Sequence, residues 1–290
     1  MRSAYFCVDI GGTKTAWAIY DKDGTELAYG RFPTNPSRGA EDLIERVRTD
    51  ASRSLSDYEI KGACIASPGP LDAKAGRIIR IVTMGWEDVE LVRLFSDCFG
   101  FPFLLLNDCD AGALGVAYSP AFRQYRSVCY MSVSTGIGGG IVIDGKLFNG
   151  RGNGGNFGHM PIPGEGLVCS CGNIDCLELY ASGSGLENRY RTITGKSLAC
   201  AEIAALAKSG NAVAHRLYRE AADALLFAAN TLRAVVDPDI LVLGGSVCRS
   251  GDILLAPIKT HHNVAFAPDD GKQVLSGAFV YALRNASDVI

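Results

Sequence analysis

Short apolar runs broken by glycine pairs set the rhythm of the first thirty residues. Residues 4–10 read as a buried strand, Gly11-Gly12-Thr13-Lys14 as a tight turn, and residues 15–20 as a returning strand. Asp23-Gly24 then reads as a two-residue hairpin turn into a third strand at 25–32. The device recurs: a strand at 127–134, a glycine turn at Thr135-Gly136-Ile137-Gly138, a strand at 139–143, an Asp144-Gly145 hairpin and a strand at 146–148. A strand, glycine turn, strand, Asp-Gly, strand unit that appears twice predicts a duplicated sheet domain, each copy offering one backbone loop to a shared cleft.

Between the copies, helical spacing covers 40–55, and a strand at 60–66 runs into Ser67-Pro68-Gly69-Pro70. A short apolar strand at 103–106 ends at Asn107-Asp108, with a helix opening at Ala111. After the second copy the pattern turns helical at 198–208 and 212–236. A strand at 239–243 then ends in Gly244-Gly245, read as a strand-to-helix junction, and a closing helix is expected at 276–285. The expected fold is α/β with two domains, 1–118 and 119–290, the last helix packing back on the first. The boundary rests on the repeat alone.

A chain of 290 residues exceeds one typical core, in agreement with two units. With 48% apolar and 20% charged residues it is an ordered globular protein. A net charge of −3 without a Lys/Arg block disfavours a nucleic-acid partner. The first nine residues are apolar too briefly for a secretory or membrane segment, so the expected location is cytoplasmic, with no membrane partner. Of the ten cysteines only Cys169, Cys171 and Cys176 cluster; Cys7, Cys64 and Cys129 sit in apolar runs as small core residues.

Asp9 stands at a strand end before Gly11 and Gly12. Glycines let backbone N–H groups approach an anion, and the Thr13 hydroxyl adds a donor. Thr135, Gly136 and Gly138 supply a second such loop, and Gly244 and Gly245 a third. Any one of these can be no more than a tight turn; three, two of them in matching places of a repeat, point to phosphate binding. No P-loop or Rossmann glycine pattern is present. A strand-end carboxylate at Asp108 can accept the proton of an attacking alcohol, though a helix cap at Asp108 or Asp110 fits the same spacing. His159 with Cys169, Cys171 and Cys176 forms a closed tetrahedral zinc set with no open position, hence a structural role. His215, His261 and His262 have no visible partner in the sequence, and Trp17 and Trp86 read as packing residues.

Together these residues resemble the ROK family of bacterial sugar kinases and repressors, within the actin, hexokinase and heat-shock ATPase superfamily. The resemblance runs over Asp9 to Lys14, Ser67 to Asp72, Asn107-Asp108, Ser134 to Gly140, Gly158-His159, Cys169 through Glu178, and Leu243-Gly244-Gly245. It implies the two-domain actin-like ATPase fold. Because the first phosphate motif already stands at Asp9, with no helix-turn-helix ahead of it, the resemblance also implies the kinase branch. Asp108 would take the proton from a sugar hydroxyl, on carbon 6, as it attacks MgATP. Asp9 would position Mg²⁺ or its water, and Gly11, Gly12, Thr13, Lys14, Thr135, Gly136, Gly138, Gly244 and Gly245 would bind the nucleotide. Gly69, Thr83, Asn107, Asn156, His159 and Glu178 fall where the family contacts sugar, and a homodimer is implied. Two positions depart from the glucokinase pattern. Asn156 stands three residues before the metal-binding histidine where those enzymes have Glu, and Thr83 stands where they have Asn. These changes point away from glucose towards an acylated amino sugar, with an N-acetylmannosamine kinase as the expected activity and a glucokinase or other hexokinase as the alternative. A sugar sensor that has lost efficient catalysis, and a redox protein that uses its cysteines, are the readings from other classes.

Overall fold

The computed structural model describes residues 1–260, 263–268 and 271–286. His261 and His262 lie outside the described residues. The chain forms two compact units, residues 1–119 with 271–290, and residues 120–270. The second unit therefore stops short of the terminal helix.

The first unit begins with β1 (Arg2–Ile10), β2 (Lys14–Tyr20) and β3 (Glu26–Pro33). It continues through α1 (Ala40–Leu55), β4 (Tyr58–Ser67), β5 (Leu71–Asp72), β6 (Arg77–Ile81), β7 (Trp86–Val89), α2 (Leu91–Phe99), β8 (Leu104–Asn107) and α3 (Asp108–Tyr118). Its main sheet has the order β3-β2-β1-β4-β8, and β5-β6-β7 make a small separate sheet. β1 and β2 pair antiparallel with Ile10 opposite Thr15, as an apolar run folded back at a glycine turn should. The β2–β3 connection differs from the expected two-residue hairpin: it spans residues 21–25, because the Asp21 carboxylate captures the backbone N–H groups of Asp23 and Thr25 at 2.9 Å each.

β4 pairs parallel with both β1 and β8, setting Asp9 opposite Ala66 and Ser67 opposite Asn107. The carboxyl ends of three parallel strands thus share one sheet edge, the place where open α/β sheets bind ligands. Beneath it, Phe6, Phe95, Phe99 and Phe103 fill the core with tilted and edge-on ring contacts.

The second unit repeats the plan. It comprises β9 (Ser127–Val133), β10 (Ile137–Ile143), β11 (Lys146–Leu147), α4 (Leu177–Ala181), α5 (Gly183–Thr194), α6 (Cys200–Lys208), α7 (Ala212–Val235), β12 (Ile240–Gly244), α8 (Asp252–Lys259) and β13 (Val264–Phe266). The sheet order is β11-β10-β9-β12-β13, with β9, β10 and β11 antiparallel and β12 parallel to β9. Asp144 and Gly145 have φ of 49° and 73°, and Ile143 pairs with Lys146, so this hairpin does close in two residues. The turn before it is tighter than expected: β10 starts at Ile137, which leaves Gly138 inside the strand opposite Ser132. Gly244 likewise leads not into an α-helix but through Gly245, with φ of 92°, into a 3₁₀ segment at Ser246–Ser250. His215, whose backbone N–H bonds Asn211, lies in the first turn of α7.

Helix α9 (Gln273–Asn285) completes the first unit. Gly115 of α3 and Gly277 of α9 face each other so closely that a Cβ on Gly277 would come within 2.5 Å of the Ala111 carbonyl carbon. Two glycines therefore seat the chain's last helix against the helix that begins at Asp108. Among the described residues no helix is long and apolar enough to cross a membrane.

Candidate active site and metal centre

In the first unit the β1–β2 turn closes through Gly11 N–H donating to the Lys14 carbonyl at 3.0 Å. Buried Thr34, past the end of β3, bolts it in place: its hydroxyl donates to the Gly11 carbonyl at 2.6 Å and lies 2.9 Å from the Thr15 hydroxyl, and its N–H donates to the Thr13 carbonyl at 2.9 Å. The sequence reading did not single out Thr15 or Thr34. For Thr15 the signal was only a threonine in an otherwise apolar strand, where a buried hydroxyl must find a partner; Thr34, in the turn after β3, carried none.

Asp9 is the penultimate residue of β1, beside this turn. Its carboxyl is held up to about 7, first by burial and then by the charge of Asp108, with Arg31 of β3 pulling the other way. Asp108 is half-buried and starts α3. Burial raises its carboxyl above the ordinary range, and hydrogen bonds from Cys109 counter part of that rise. The cap of α3 is Asn107, not Asp108 or Asp110: the Asn107 side chain accepts from Cys109 N–H at 2.9 Å in the N-cap geometry. Asp108 Oδ1 also takes that N–H, at 2.8 Å, which fixes the carboxyl at the mouth of the helix. Asp110, earlier only a capping candidate, joins the group; burial and Asp108 lift its carboxyl to about 7.

Two loops bring the sugar-side candidates of this unit to the same edge. A Cβ on Gly69 would stand 3.5 Å from Asn107 Nδ2, and one on Gly12 would stand 3.9 Å from the Thr83 hydroxyl. Thr83 itself is exposed, in a 3₁₀ turn at Val82–Met84.

The second unit offers a backbone turn in the matching place. Ser134 N–H donates to the Gly136 carbonyl at 2.8 Å, and the carbonyls of Ser134 and Thr135 receive the Gly183 and Ser184 N–H groups of α5 at 2.8 and 3.0 Å. Parallel pairing sets Gly244 opposite Ser132, so Gly245 and Ser246 lie at the same sheet end, with the Ser134 and Ser246 hydroxyls 3.1 Å apart. A Cβ on Gly245 would sit 2.6 Å from the Val133 carbonyl carbon, so only glycine fits there. A pocket of about 430 Å³ opens beside this turn, lined among others by Thr135, Glu187, Lys208, Ser246 and Arg249. Hydroxyls, glycine backbone and two cations suit a polar anion.

Glu178 of α4 reaches back to the turn. Its carboxylate accepts Ile137 N–H at 2.9 Å and lies 2.5 Å from where a Cβ on Gly136 would be. Asn156, exposed, precedes the 3₁₀ turn Phe157–His159, and its carbonyl accepts His159 N–H at 3.2 Å.

His159, Cys169, Cys171 and Cys176 offer one ligand atom each, all within 4.8 Å of one another. Cys169 Sγ lies 3.6 Å from His159 Nδ1, and Cys171 Sγ lies 3.5 Å from Cys176 Sγ. A tetrahedron built on metal–sulfur bonds of about 2.3 Å has edges of about 3.8 Å, so spacing and donor set both fit one tetrahedral ion. The Asn173 backbone N–H draws the Cys171 thiol below its ordinary range, the direction that favours a thiolate ligand.

The model of the ROK family matches residues 5–274. The chain is 30% identical to an N-acetyl-D-glucosamine kinase of Salmonella heidelberg, over 84% of each chain. Among solved structures it is similar to a ROK hexokinase from Thermus thermophilus, with a TM-score of 0.87 and 29% identity over 98% of this chain and 99% of that one. It is also similar to a ROK family glucokinase from Streptomyces griseus in complex with glucose and AMPPNP, with a TM-score of 0.79 and 27% identity over 97% and 99%. With its two strand-end loops and its Cys/His quartet inside the matched span, the chain belongs to the ROK family and has the fold of that family's hexokinases.

Proposed function

We propose that this ROK protein transfers the γ-phosphoryl group of ATP to the 6-hydroxyl of a hexose or N-acetylhexosamine, with Asp108 as the general base. The chain is a sugar kinase of its family; relatives named for glucokinase, hexokinase and N-acetylglucosamine kinase activity support that class. The observation that carries the mechanism is the carboxyl of Asp108, fixed at the start of α3 and kept more basic than a solvated aspartate by burial. As the sugar oxygen attacks the γ-phosphorus, Asp108 takes its proton. The bond between the γ-phosphorus and the bridging oxygen breaks, and ADP leaves.

Asp9 would hold Mg²⁺ or its water. The charge of Asp108 raises the buried Asp9 carboxyl, and a divalent cation there would relieve that repulsion. When bound, that ion offsets the charge on the phosphate oxygens. Gly11, Gly12, Thr13 and Lys14 in the first unit, and Thr135, Gly136, Gly138, Gly244 and Gly245 in the second, are the nucleotide-binding set. The glucokinase relative bound to AMPPNP supports ATP as donor.

His159, Cys169, Cys171 and Cys176 would hold Zn²⁺, a structural ion that stiffens the loop running from His159 to α4, the helix that carries Glu178. The sugar is an acylated amino sugar, N-acetylmannosamine, because Asn156 presents an amide where the glucokinase pattern has a carboxylate. An ADP-release assay over glucose, mannose, N-acetylglucosamine and N-acetylmannosamine tests both parts. The highest kcat/KM is expected for N-acetylmannosamine, with Asp108→Asn inactive on all four. A preference for glucose overturns the substrate reading, and silence of the wild type on every sugar overturns the kinase.

A further inference from the structure

Helix α4 has five residues, too few to hold its own position, and it starts directly after the metal-ligand candidate Cys176. It nevertheless carries Glu178, whose carboxylate grips Ile137 N–H at the second glycine turn. Something beyond helix formation must therefore fix its place.

Two residues further along α4, Tyr180 sits at a junction. Its hydroxyl accepts the Glu165 N–H at 2.7 Å and donates to the Asp175 carboxylate. Asp175, held at a left-handed φ of 54°, takes in addition the Gly166 N–H at 2.9 Å and the Leu167 N–H at 2.7 Å. The segment that leads from His159 to Cys169 is thereby tied to the residue just before Cys176 and to α4. On the other side of the ring stands Arg189 of α5, 7% exposed, its guanidinium carbon 4.8 Å from the Tyr180 centroid. Its Nη2 bonds Glu220 of α7 at 2.6 Å and Glu165 at 3.2 Å. Gly164 lets the pieces close up, since a Cβ there would come within 2.6 Å of the Asp175 carboxyl carbon.

We propose that Tyr180, clamped between Asp175 and Arg189, is a positioning residue that sets α4, so that both Glu178 and the metal-ligating loop depend on a hydroxyl that belongs to neither set. Nothing assigned to catalysis or to the metal includes Tyr180, Asp175, Glu165, Arg189 or Glu220. The clamp anchors one end of the loop on α5 and α7, two longer helices of the unit's core, and hands that rigidity to the five-residue helix. In its kinetic consequence the inference rests on the kinase reading; in its consequence for the metal loop it does not.

Tyr180→Phe keeps the ring, its packing and its contact with Arg189, and removes one hydroxyl. The test loads purified full-length protein with Zn²⁺, follows metal transfer to a chromophoric chelator, and measures amide hydrogen exchange at Gly166 and Leu167. Tyr180→Phe is expected to release the metal about 10-fold faster and to exchange those amides faster. It should raise the sugar KM about 5- to 20-fold with the ATP KM changed less than about 2-fold. The companion variant Tyr218→Phe also deletes a buried hydroxyl of this unit, one bonded to Ser250 and Cys200, and should release metal at the wild-type rate. Wild-type release and exchange in Tyr180→Phe would overturn the proposal, as would equal acceleration in Tyr218→Phe. A wild type silent on sugars would sink the kinase reading while release and exchange still decided the clamp.

Discussion

The two halves of this protein share one chassis and spend it differently. Each has three antiparallel strands followed by two parallel ones, in matching order, with a glycine turn at the carboxyl end of its central strand. In the first half that edge gathers carboxyls, Asp9, Asp108 and Asp110, each raised by burial. In the second it gathers backbone and hydroxyls, and its carboxylates Glu178 and Glu187 are already committed to the N–H groups of Ile137 and Cys200. Under the proposed function the first edge carries the general base together with one nucleotide loop, and the second edge carries nucleotide binding alone.

The sharpest way to break this division is to compare one residue from each edge. Asp108→Ala should lower kcat about 10³-fold, whereas Thr135→Ala should lower kcat/KM for ATP about 10-fold, both measured by steady-state ADP release. Equal losses would erase the distinction between a base and a binding loop.

The turns differ in a second respect that stability can read. Gly245 has a positive φ and no room for a Cβ, while a Cβ added at Gly12 would stand no nearer than 3.9 Å to the Thr83 hydroxyl. Gly245→Ala should destabilise the protein by about 3 kcal/mol in urea unfolding, and Gly12→Ala by less than about 1 kcal/mol.

A smaller effect belongs to the second half alone. Cys171→Ser should lower bound zinc in elemental analysis and Tm by about 5 °C, and weaken sugar binding more than ATP binding. Unchanged metal content would remove the quartet from the account.

The smallest concerns the first half. Asp110 has a folded-state pKa near 7 against an ordinary 3.8, so its ionisation opposes folding, and that penalty grows as pH rises between those values. Asp110→Asn should therefore gain stability relative to wild type as pH rises from 4 to 8, read from unfolding curves of the ligand-free protein. The opposite sign would mean that the carboxyl is stabilised as an anion.

Much of the sheet plan was legible because strand periodicity and glycine turns are local signals. The Asp144-Gly145 hairpin followed from turn chemistry alone, and the Cys/His quartet followed from ligand type and spacing. The β2–β3 loop misled because the Asp21 carboxylate, not Asp23-Gly24, organises it. The small β5-β6-β7 sheet was hidden by strands of two to five residues packed among turn formers. Helices α4 and α5 were missed because Gly183-Ser184-Gly185 looks like a loop; the Ser182 hydroxyl, which caps Gly185 N–H at 2.9 Å, makes it a helix start. The Thr34 bolt, the company of Asp110 and the Arg189–Tyr180 clamp depend on partners that only the fold brings together, beyond the reach of any pattern along the chain.

One measurement addresses the central assignment most directly: phosphoryl transfer in a single turnover, with radiolabelled MgATP and saturating N-acetylmannosamine pre-bound, in wild type and Asp108→Asn. The account predicts that both proteins bind both substrates with affinities within about 3-fold, while the variant forms sugar phosphate about 10²- to 10⁴-fold more slowly. Transfer at the wild-type rate in Asp108→Asn would contradict it.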